Sequence, residues 1–183
     1  MNQSEFIFKI TLIGDGAVGK TSIRQRYMGH GFKESHLMTL GADFSVIEKE
    51  FRKGESWLYQ IWDIAGQKIF ESIRARFYKG SMGALLVFDV TDKQTFRNCL
   101  SWVRELYRFS GSDAIPVVLL ANKSDLRSRR SVDMKRADKF VRILNEGTAS
   151  YGVTNYVLET SAKTGQNIES AFKLLGEAIR TRF

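Results

Sequence analysis

The chain has 183 residues, 43% of them hydrophobic, which is enough apolar material for one buried core and too little for two ordinary domains. Apolar runs such as 114–121 are too short for a membrane-spanning helix, which needs roughly 20 residues, and the sole cysteine, Cys99, excludes disulfides within the chain. The formal net charge of +8 is compatible with binding to nucleic acid or to an anionic membrane.

Strand-like and helix-like segments alternate along the chain. Helices are predicted over 95–109, over 134–145 and in the last segment, for which Asn167 is the start signal. Alternation of this kind is typical of parallel strands joined by helical crossovers. The strand-like apolar runs lie at 6–13, 84–90, 116–121 and 156–159.

The segment between residues 42 and 62 has a different pattern. The runs ADFSVIEKEF and WLYQIW flank the polar stretch RKGE, which predicts an antiparallel hairpin that turns at Gly54. Together with the alternating elements, the hairpin predicts one three-layer α/β domain over residues 1–183. A ligand of such a domain binds at the carboxyl ends of the parallel strands.

The stretch GDGAVGKTS, residues 14–22, follows the first strand and opens a helix. Its spacing, a glycine, four residues, then Gly-Lys-Thr, is that of a phosphate-binding loop, whose backbone N–H groups face phosphate oxygens. Lys20 would reach the terminal phosphates, and the hydroxyl of Thr21 would ligate Mg²⁺. An ordinary glycine-rich turn is the competing interpretation. The candidate phosphate-binding residues are Gly16, Ala17, Val18, Gly19, Lys20, Thr21 and Ser22.

Two further segments at strand ends indicate which base is bound. In LLANKSDL, the carboxylate of Asp125 can accept hydrogen bonds from guanine N1–H and from the exocyclic amine, neither of which adenine offers. Lys123 can lie along the base plane, and Asn122 can join this loop to the phosphate loop. In ETSAK, Ser161 can brace Asp125, and the backbone N–H of Ala162, which precedes Lys163, can donate to guanine O6.

The segment WDIAGQ, residues 62–67, supplies the third group of candidates. Asp63 would hold Mg²⁺ through water, the N–H of Gly66 would contact the γ-phosphate, and Gln67 would orient the attacking water. Thr39 would offer its hydroxyl to Mg²⁺ and its N–H to the γ-phosphate. Considered without the other motifs, Thr39 is better explained as a threonine in a surface loop.

With these motifs in order, the chain from about residue 6 to 181 resembles a small GTPase of the Ras superfamily. The segments LGADF and QIWDIAGQ and the residues Phe44, Trp62 and Phe77 are most similar to the Rab branch, whereas GDGAVGKT is more similar to Rho. The resemblance implies a G domain, which is a phosphate-loop NTPase fold with a mostly parallel six-stranded sheet, one antiparallel strand and helices on both faces. It also implies that Phe32 lies against the guanine edge and that Gly16 is the small residue beside the γ-phosphate.

The resemblance implies a molecular switch that binds GTP or GDP with Mg²⁺ and slowly hydrolyses GTP in signalling of the vesicle-traffic type. Lys20, Thr39, Gly66 and Gln67 would act in the hydrolytic step. Two alternatives stay open at this stage: an ATPase or nucleotide kinase, which Asp125 argues against, and a catalytically silent guanine-nucleotide-binding scaffold.

The resemblance also implies effectors, exchange factors and GTPase-activating proteins that bind residues 33–45 and 64–79. We expect a cytoplasmic monomer that binds no nucleic acid, because the first ten residues do not resemble a secretory signal and the basic segment 126–142 lacks interleaved aromatic residues. Peripheral association with a membrane surface is compatible with the charge. The chain has no C-terminal cysteine for prenylation, and whether a lipidated tail belongs to the protein stays open.

Three segments depart from the family pattern or lack an assigned role. Lys68 and Ile69 stand where Rab proteins usually have an acidic and a basic residue, so familiar regulators and effectors are not carried over. The connection 145–155 is several residues longer than usual, and its role is open. The basic segment 126–142 is interpreted as a solvated helix face in preference to a binding patch.

Overall fold

The structure is a computed structural model that describes residues 4–32, 38–52 and 55–183. The predicted turn at Gly54 lies outside these residues. The described elements, in chain order, are β1 (Ser4–Ile13), α1 (Lys20–Tyr27), β2 (Ala42–Arg52), β3 (Glu55–Ile64), α2 (Glu71–Tyr78), β4 (Gly83–Asp89), α3 (Lys93–Arg97), α4 (Cys99–Ser110), β5 (Val117–Asn122), α5 (Met134–Thr148), β6 (Tyr156–Glu159) and α6 (Ile168–Arg182).

The strands form one six-stranded sheet in the order β2-β3-β1-β4-β5-β6. β2 pairs with β3 antiparallel, and every other neighbouring pair is parallel. The predicted fold class, a mostly parallel sheet with one antiparallel strand, is confirmed. The parallel strands therefore end at a common edge of the sheet, where the loops after β1, β3, β5 and β6 meet.

Alternating side chains of the central strands fill two apolar layers, one on each face of the sheet. In β4, Leu85 and Val87 pack with residues of α1 and α6, whereas Leu86 and Phe88 pack with residues of α2, α4 and α5. Strands buried on both faces are apolar at consecutive positions, because both sides of the sheet are covered by helices. This explains why β4 and β5 are continuous apolar runs in the sequence.

The helix predicted over 95–109 is two helices, so this boundary is wrong. α3 starts earlier because the side chain of Asp92 accepts a hydrogen bond from the N–H of Gln94 and caps the helix. α3 and α4 are separated at Asn98, whose side chain accepts from Gln94 Nε2 and donates to Asp15. The split places one face of α4 beside the phosphate-binding loop.

The connection before β6 is more ordered than the sequence suggests, because α5 continues to Thr148 instead of ending at residue 145. Asn145 and Asn155 join the two ends of this connection through three hydrogen bonds of 2.7, 3.0 and 3.1 Å. Asn155 Oδ1 also accepts from the N–H of Val117 in β5 at 2.9 Å. The connection is thus fastened to the sheet.

α6 begins directly after Asn167, as predicted, but the side chain of Asn167 does not cap the helix. Asn167 instead adopts a left-handed backbone with φ of 57° and donates to the carbonyl of Glu159 at 2.8 Å. Asparagine tolerates this backbone conformation better than most residues do. Its role is therefore to hold the loop after β6, which carries Ser161 and Ala162.

Candidate nucleotide-binding site

An open cavity of about 810 Å³ lies at the carboxyl ends of the parallel strands. This volume is within the range of small-molecule sites, and the position is the one expected for a ligand of this fold. The lining residues are Gly16, Ala17, Gly19, Lys20, Thr21, Ser22, Phe32, Met38, Thr39, Ala65, Gly66, Gln67, Asn122, Lys123, Asp125, Leu126, Arg129, Ala162 and Lys163.

The phosphate-binding loop is held open by its backbone conformation. Gly19 has φ of 102°, and a Cβ at this position would lie closer than 3.0 Å to the amide nitrogen of Asn122, so that only glycine fits without strain. Lys20 Nζ donates to the carbonyls of Gly14 and Asp15 at 2.8 and 2.7 Å. Burial lowers the pKa of Lys20 to about 8, while the negative charges of Asp63 and Asp15 oppose that shift.

The outer side of the same loop is fastened to α4 through Asp15. Asp15 accepts hydrogen bonds from Asn98 Nδ2 and from Trp102 Nε1, both at 2.7 Å. Charge-assisted bonds of this kind are stronger than neutral ones and fix the direction of the carboxylate. Sequence reasoning missed this anchor because Asn98 and Trp102 lie more than 80 residues from the loop.

Three oxygen-bearing side chains converge at the start of α1. Thr21 Oγ1 donates to Asp63 Oδ2 at 2.5 Å and lies 3.0 Å from Thr39 Oγ1. Asp63 is fully buried, and its Oδ1 has no hydrogen-bond partner among residues 4–32, 38–52 and 55–183. Burial raises the pKa of Asp63, against the hydrogen bond from Thr21 and the charges of Lys20 and Arg24.

These donors fit Mg²⁺, which prefers oxygen ligands and is usually held by one or two protein groups together with substrate phosphates. The described part of the chain contains no group of three or more His, Cys, Asp or Glu side chains that would hold a metal ion by themselves. The orphaned Oδ1 of Asp63 and the two hydroxyls therefore match a site that phosphate oxygens complete. This arrangement fits the predicted ligand set of Thr21, Thr39 and Asp63.

The segment after β3 packs tightly on the phosphate-binding loop. A Cβ on Gly66 would lie closer than 3.0 Å to backbone atoms of Gly14, Asp15 and Gly16. Gln67 follows, and its Oε1 is buried with no hydrogen-bond partner in the described ranges. Arg74 Nη1 donates to the carbonyl of Gln67 at 3.1 Å, so the backbone at Gln67 is held while the side-chain oxygen is available for a ligand.

Arg74 is itself held in place by α4. Its guanidinium donates to both carboxylate oxygens of Glu105, at 2.6 and 2.9 Å, and lies 4.6 Å from the ring of Trp102. Trp102 also donates to Asp15. α4 therefore supports both the phosphate-binding loop and the segment that carries Gln67.

The loops after β5 and β6 meet at the other end of the cavity. Ser161 Oγ donates to Asp125 Oδ1 at 2.6 Å, the contact expected from the sequence. Asn122 Nδ2 donates to the carbonyl of Val18 at 2.8 Å, and Asn122 Oδ1 accepts from the N–H of Ala162 at 3.3 Å. Asn122 thus joins the phosphate-binding loop to both loops at the base end.

Lys123 makes a contact that the sequence did not indicate. Its Nζ lies 2.6 Å from Asp89 Oδ2, and its backbone has φ of 66°. The ion pair holds the charged end of Lys123 against β4, while the side chain still lines the cavity. Hydrogen bonds from Lys123 and Thr91 lower the pKa of Asp89, although burial acts in the opposite direction and is the largest single influence.

Three predicted residues, Val18, Asp63 and Ser161, are buried behind the cavity wall, and four residues of the wall were not predicted. Val18 and Ser161 are buried and contribute through the carbonyl of Val18 and the hydroxyl of Ser161. Phe32 does line the cavity. The residues that sequence reasoning missed are Met38, Ala65, Leu126 and Arg129.

The predicted partner surface carries exposed apolar side chains. The aromatic rings of Phe44, Trp62 and Phe77 form a chain with centroid distances of 4.8 and 5.7 Å, and Phe44 is 45% exposed. Leu40 and Ile69 are also exposed. Residues 33–37 of the predicted surface lie outside the described residues. In the ranges that are described, no helix is long and apolar enough to cross a bilayer.

A sequence profile of the Ras family matches residues 9–181. The chain belongs to the Ras family. It is 36% identical over 178 residues to the Ras-related protein Rab-8B of Homo sapiens and to that of Pongo abelii, with 97% of this chain and 81% of each relative covered. It is 35% identical over 178 residues to the Ras-related protein RABD2a of Arabidopsis thaliana, with 97% and 82% covered.

Membership in this family confirms the resemblance to Rab-like small GTPases. The chain is therefore a GTP-binding and GTP-hydrolysing switch, and as a family member it acts through regulators and effectors. Neither alternative, the adenine-nucleotide enzyme or the silent scaffold, gains support from a comparison. Proteins of this family bind GTP or GDP, in general with Mg²⁺.

Proposed function

We propose that residues 1–183 form a single G domain that binds GTP or GDP with Mg²⁺ in the cavity described above, and that it reports the bound nucleotide by the position of the loops around Thr39 and Gly66. One observation carries the proposal. Asp125 at one end and Thr21 and Thr39 at the other line one cavity, with Ser161 and Asp63 hydrogen-bonded behind them, and the hydrogen bonds of Asn122 join the phosphate-binding loop to the base end.

In the proposed complex, the phosphates lie along the backbone N–H groups of residues 16–22, at the positive end of α1. Lys20 moves its three donors from the carbonyls of Gly14 and Asp15 to phosphate oxygens. Burial disfavours the charge of Lys20, and phosphate oxygens would supply an anionic partner that compensates for it. Bound Mg²⁺ would neutralise charge on the β- and γ-phosphates, with Thr21, Thr39 and Asp63 holding it.

The base end of the cavity selects guanine in this proposal. Asp125 accepts from guanine N1–H and from the exocyclic amine, and Ser161 keeps its carboxylate in the required direction. The N–H of Ala162 donates to O6, while Phe32 lies against the edge of the base and the stem of Lys123 lies along its plane. Lys163 borders the same end of the cavity.

Hydrolysis requires a water aligned with the γ-phosphate, and Gln67 holds it through the unpaired Oε1. Gly16 lies beside this amide: a Cβ there would be in ordinary contact with Gln67 Nε2 at 3.5 Å, so only a side chain larger than alanine would compete with the amide for space. Unaided turnover in Ras-type enzymes is on the order of 10⁻⁴ to 10⁻³ s⁻¹, and an arginine from a partner raises it by up to about 10⁵-fold. We expect the same dependence on a partner here.

Loss of the γ-phosphate removes the contacts of the Thr39 and Gly66 N–H groups, so both loops are released. Regulators and effectors that bind residues 33–45 and 64–79 would detect this change. We place the protein in signalling of the vesicle-traffic type, as a cytoplasmic monomer that associates peripherally with a membrane surface. The aromatic chain, in which Phe44 is exposed and Trp62 and Phe77 are partly buried, supports a role of this surface in protein binding.

The base contact is tested by the substitution Asp125→Asn. Asparagine keeps one oxygen for the hydrogen bond from Ser161 but presents an NH₂ donor where guanine also donates. GTP affinity should fall by about 10²- to 10³-fold, the effect expected from losing charge-assisted hydrogen bonds in a buried site. Xanthosine triphosphate, which has a carbonyl at that edge, should gain relative to GTP in a competition titration.

The matched control for this titration is Asp133→Asn. Asp133 caps α5 outside the cavity, and asparagine is an equally good cap, so nucleotide preference should stay that of the wild type. An unchanged ratio of GTP to XTP affinity in Asp125→Asn would show that the carboxylate does not read the base.

The metal contact is tested by Thr21→Asn. The substitution removes the hydroxyl that donates to Asp63 and places a larger amide beside it. Binding of GTP should fall more than binding of GDP, because Mg²⁺ held by Thr21 would neutralise more phosphate charge in GTP than in GDP. Calorimetric titrations with both nucleotides at fixed Mg²⁺ measure the difference, with the exposed Thr181→Asn as the control. Equal losses for GTP and GDP would contradict the proposed role of Thr21.

A further inference from the structure

Arg24, in the second turn of α1, is a buried cation beside the proposed metal site. The residue is only 8% exposed. Its guanidinium donates to Asp43 Oδ2 and to Ser45 Oγ at the beginning of β2. Its Nε faces Asp63 and lies 3.9 Å from Asp63 Oδ2.

The ion pair with Asp43 does not by itself explain why the positive charge of Arg24 is buried at this position. The side chain of Asp43 is 57% exposed, and ion pairs with solvated groups contribute little to stability. Arg24 Nε is buried and has no hydrogen-bond partner in the part of the chain that the structure describes. Asp63, which is fully buried, is the buried anion that it faces, and a buried cation is costly unless an anion compensates for it.

We infer that Arg24 is a positioning residue that weakens the hold of this site on Mg²⁺ by placing a positive charge against Asp63. The inference rests on the proposed role of Asp63 in holding the metal. A guanidinium next to the carboxylate compensates for its charge in the metal-free state and repels a divalent cation in the metal-bound state. Both effects reduce the free energy that Mg²⁺ binding gains at Asp63.

The same guanidinium connects the metal site to β2. Asp43 and Ser45 lie four and six residues after Thr39, so they belong to the strand that follows the nucleotide-sensing loop. Asp43 partly neutralises Arg24 and thereby limits its effect on Asp63. The charge balance at the metal site therefore depends on a contact with the partner-binding surface.

The test measures release of a fluorescently labelled GDP from the full chain at a series of free Mg²⁺ concentrations. The midpoint is the Mg²⁺ concentration at which release is slowed by half. In Arg24→Gln the midpoint should fall by about tenfold or more, because a unit charge about 4 Å from the carboxylate changes an equilibrium by about fivefold even at the dielectric of water and by more at an intermediate dielectric. Arg24→Lys keeps the charge, so its midpoint should stay within about twofold of the wild type.

Asp43→Asn supplies a prediction of the opposite sign. It removes the negative charge that offsets Arg24, so the Mg²⁺ midpoint should rise by about twofold to fivefold. The substitution is at a solvated side chain and should not impair folding. It therefore decides the question even if thermal unfolding shows that Arg24→Gln is poorly folded.

Arg26→Gln is the matched control, because it removes the same charge from the same helix. Arg26 faces away from Asp63 and donates to the carbonyl of Thr164 at 3.0 Å. Any change in GDP release should be equal at low and high Mg²⁺, with an unchanged midpoint.

An unchanged or raised Mg²⁺ midpoint in folded Arg24→Gln would overturn the inference. If Arg24 had only a structural role, the substitution would misplace Asp63, weaken Mg²⁺ binding and so raise the midpoint. A lowered midpoint in Asp43→Asn would overturn it as well. If GDP release from the wild type did not depend on Mg²⁺ at all, the proposed metal role itself would fail, and this inference with it. If GDP release from the wild type depends on Mg²⁺ but the Arg24 variants have the same midpoint, only the inference about Arg24 fails, and the proposed metal role stands.

Discussion

Replacing Gln67 with leucine is expected to abolish stimulated GTP hydrolysis while leaving GTP affinity close to that of the wild type. Leucine has a similar volume but lacks the amide oxygen, which is buried without a hydrogen-bond partner among the described residues. A partner's contribution of about 10³- to 10⁵-fold depends on the water that this amide orients. Most of that factor should be lost.

Single-turnover assays on protein loaded with GTP measure the effect, with and without a stimulating partner. Gln60→Leu is the matched control, because Gln60 is in β3 and does not line the cavity. It should hydrolyse GTP at the wild-type rate. If the time courses of Gln67→Leu and wild type coincide under full loading, Gln67 takes no part in hydrolysis and the proposed hydrolytic step is wrong.

The part of the site that could be predicted from the sequence is the part that short motifs at strand ends encode. The spacing in residues 14–22 predicted a loop between β1 and α1, because glycine, lysine and threonine at these positions suit phosphate binding. Asn122 and Ser161 could be placed together because parallel strands end at a common edge of the sheet. Their observed contacts, with Val18 and Asp125, follow from that topology.

The part that could not be predicted consists of side-chain contacts between distant segments. Nothing near Asp15 indicates that Trp102 donates to it, because α4 reaches the loop only through the packing of the sheet. The sequence also gave no indication that Arg24 contacts Asp63, since a basic residue in a short helix normally indicates a solvated face. The ion pair of Lys123 with Asp89 is also a consequence of β4 and β5 being neighbours.

The boundary errors have local causes. The spacing of apolar residues over 95–109 is that of one continuous helix, so it does not indicate the break at Asn98. The extension of α5 to Thr148 depends on the Thr148 hydroxyl, which donates to the carbonyls of Leu144 and Val153. Local side-chain contacts of this kind can override propensity in deciding where a helix ends.

The substitution Gly66→Ala should separate nucleotide binding from switching. An alanine Cβ would lie closer than 3.0 Å to backbone atoms of Gly14, Asp15 and Gly16, and a backbone clash cannot be relieved by rotating a side chain. The segment must therefore move away from the phosphate-binding loop. The N–H of residue 66 would then miss the γ-phosphate, and removing one such donor typically costs about 10²- to 10³-fold in rate.

Hydrogen exchange over residues 64–79 provides a readout that is independent of hydrolysis. In the wild type, a non-hydrolysable GTP analogue should protect these amides more than GDP does, because the γ-phosphate contact orders the segment. Gly66→Ala should bind GDP normally but show the same exchange with both nucleotides. Gly147→Ala is the control, because its added Cβ has no atom within 4 Å in the described structure and alanine favours the helix by about 1 kcal/mol. Protection that still depends on the nucleotide in Gly66→Ala would mean that the switch does not operate through close contact between Gly66 and the phosphate-binding loop.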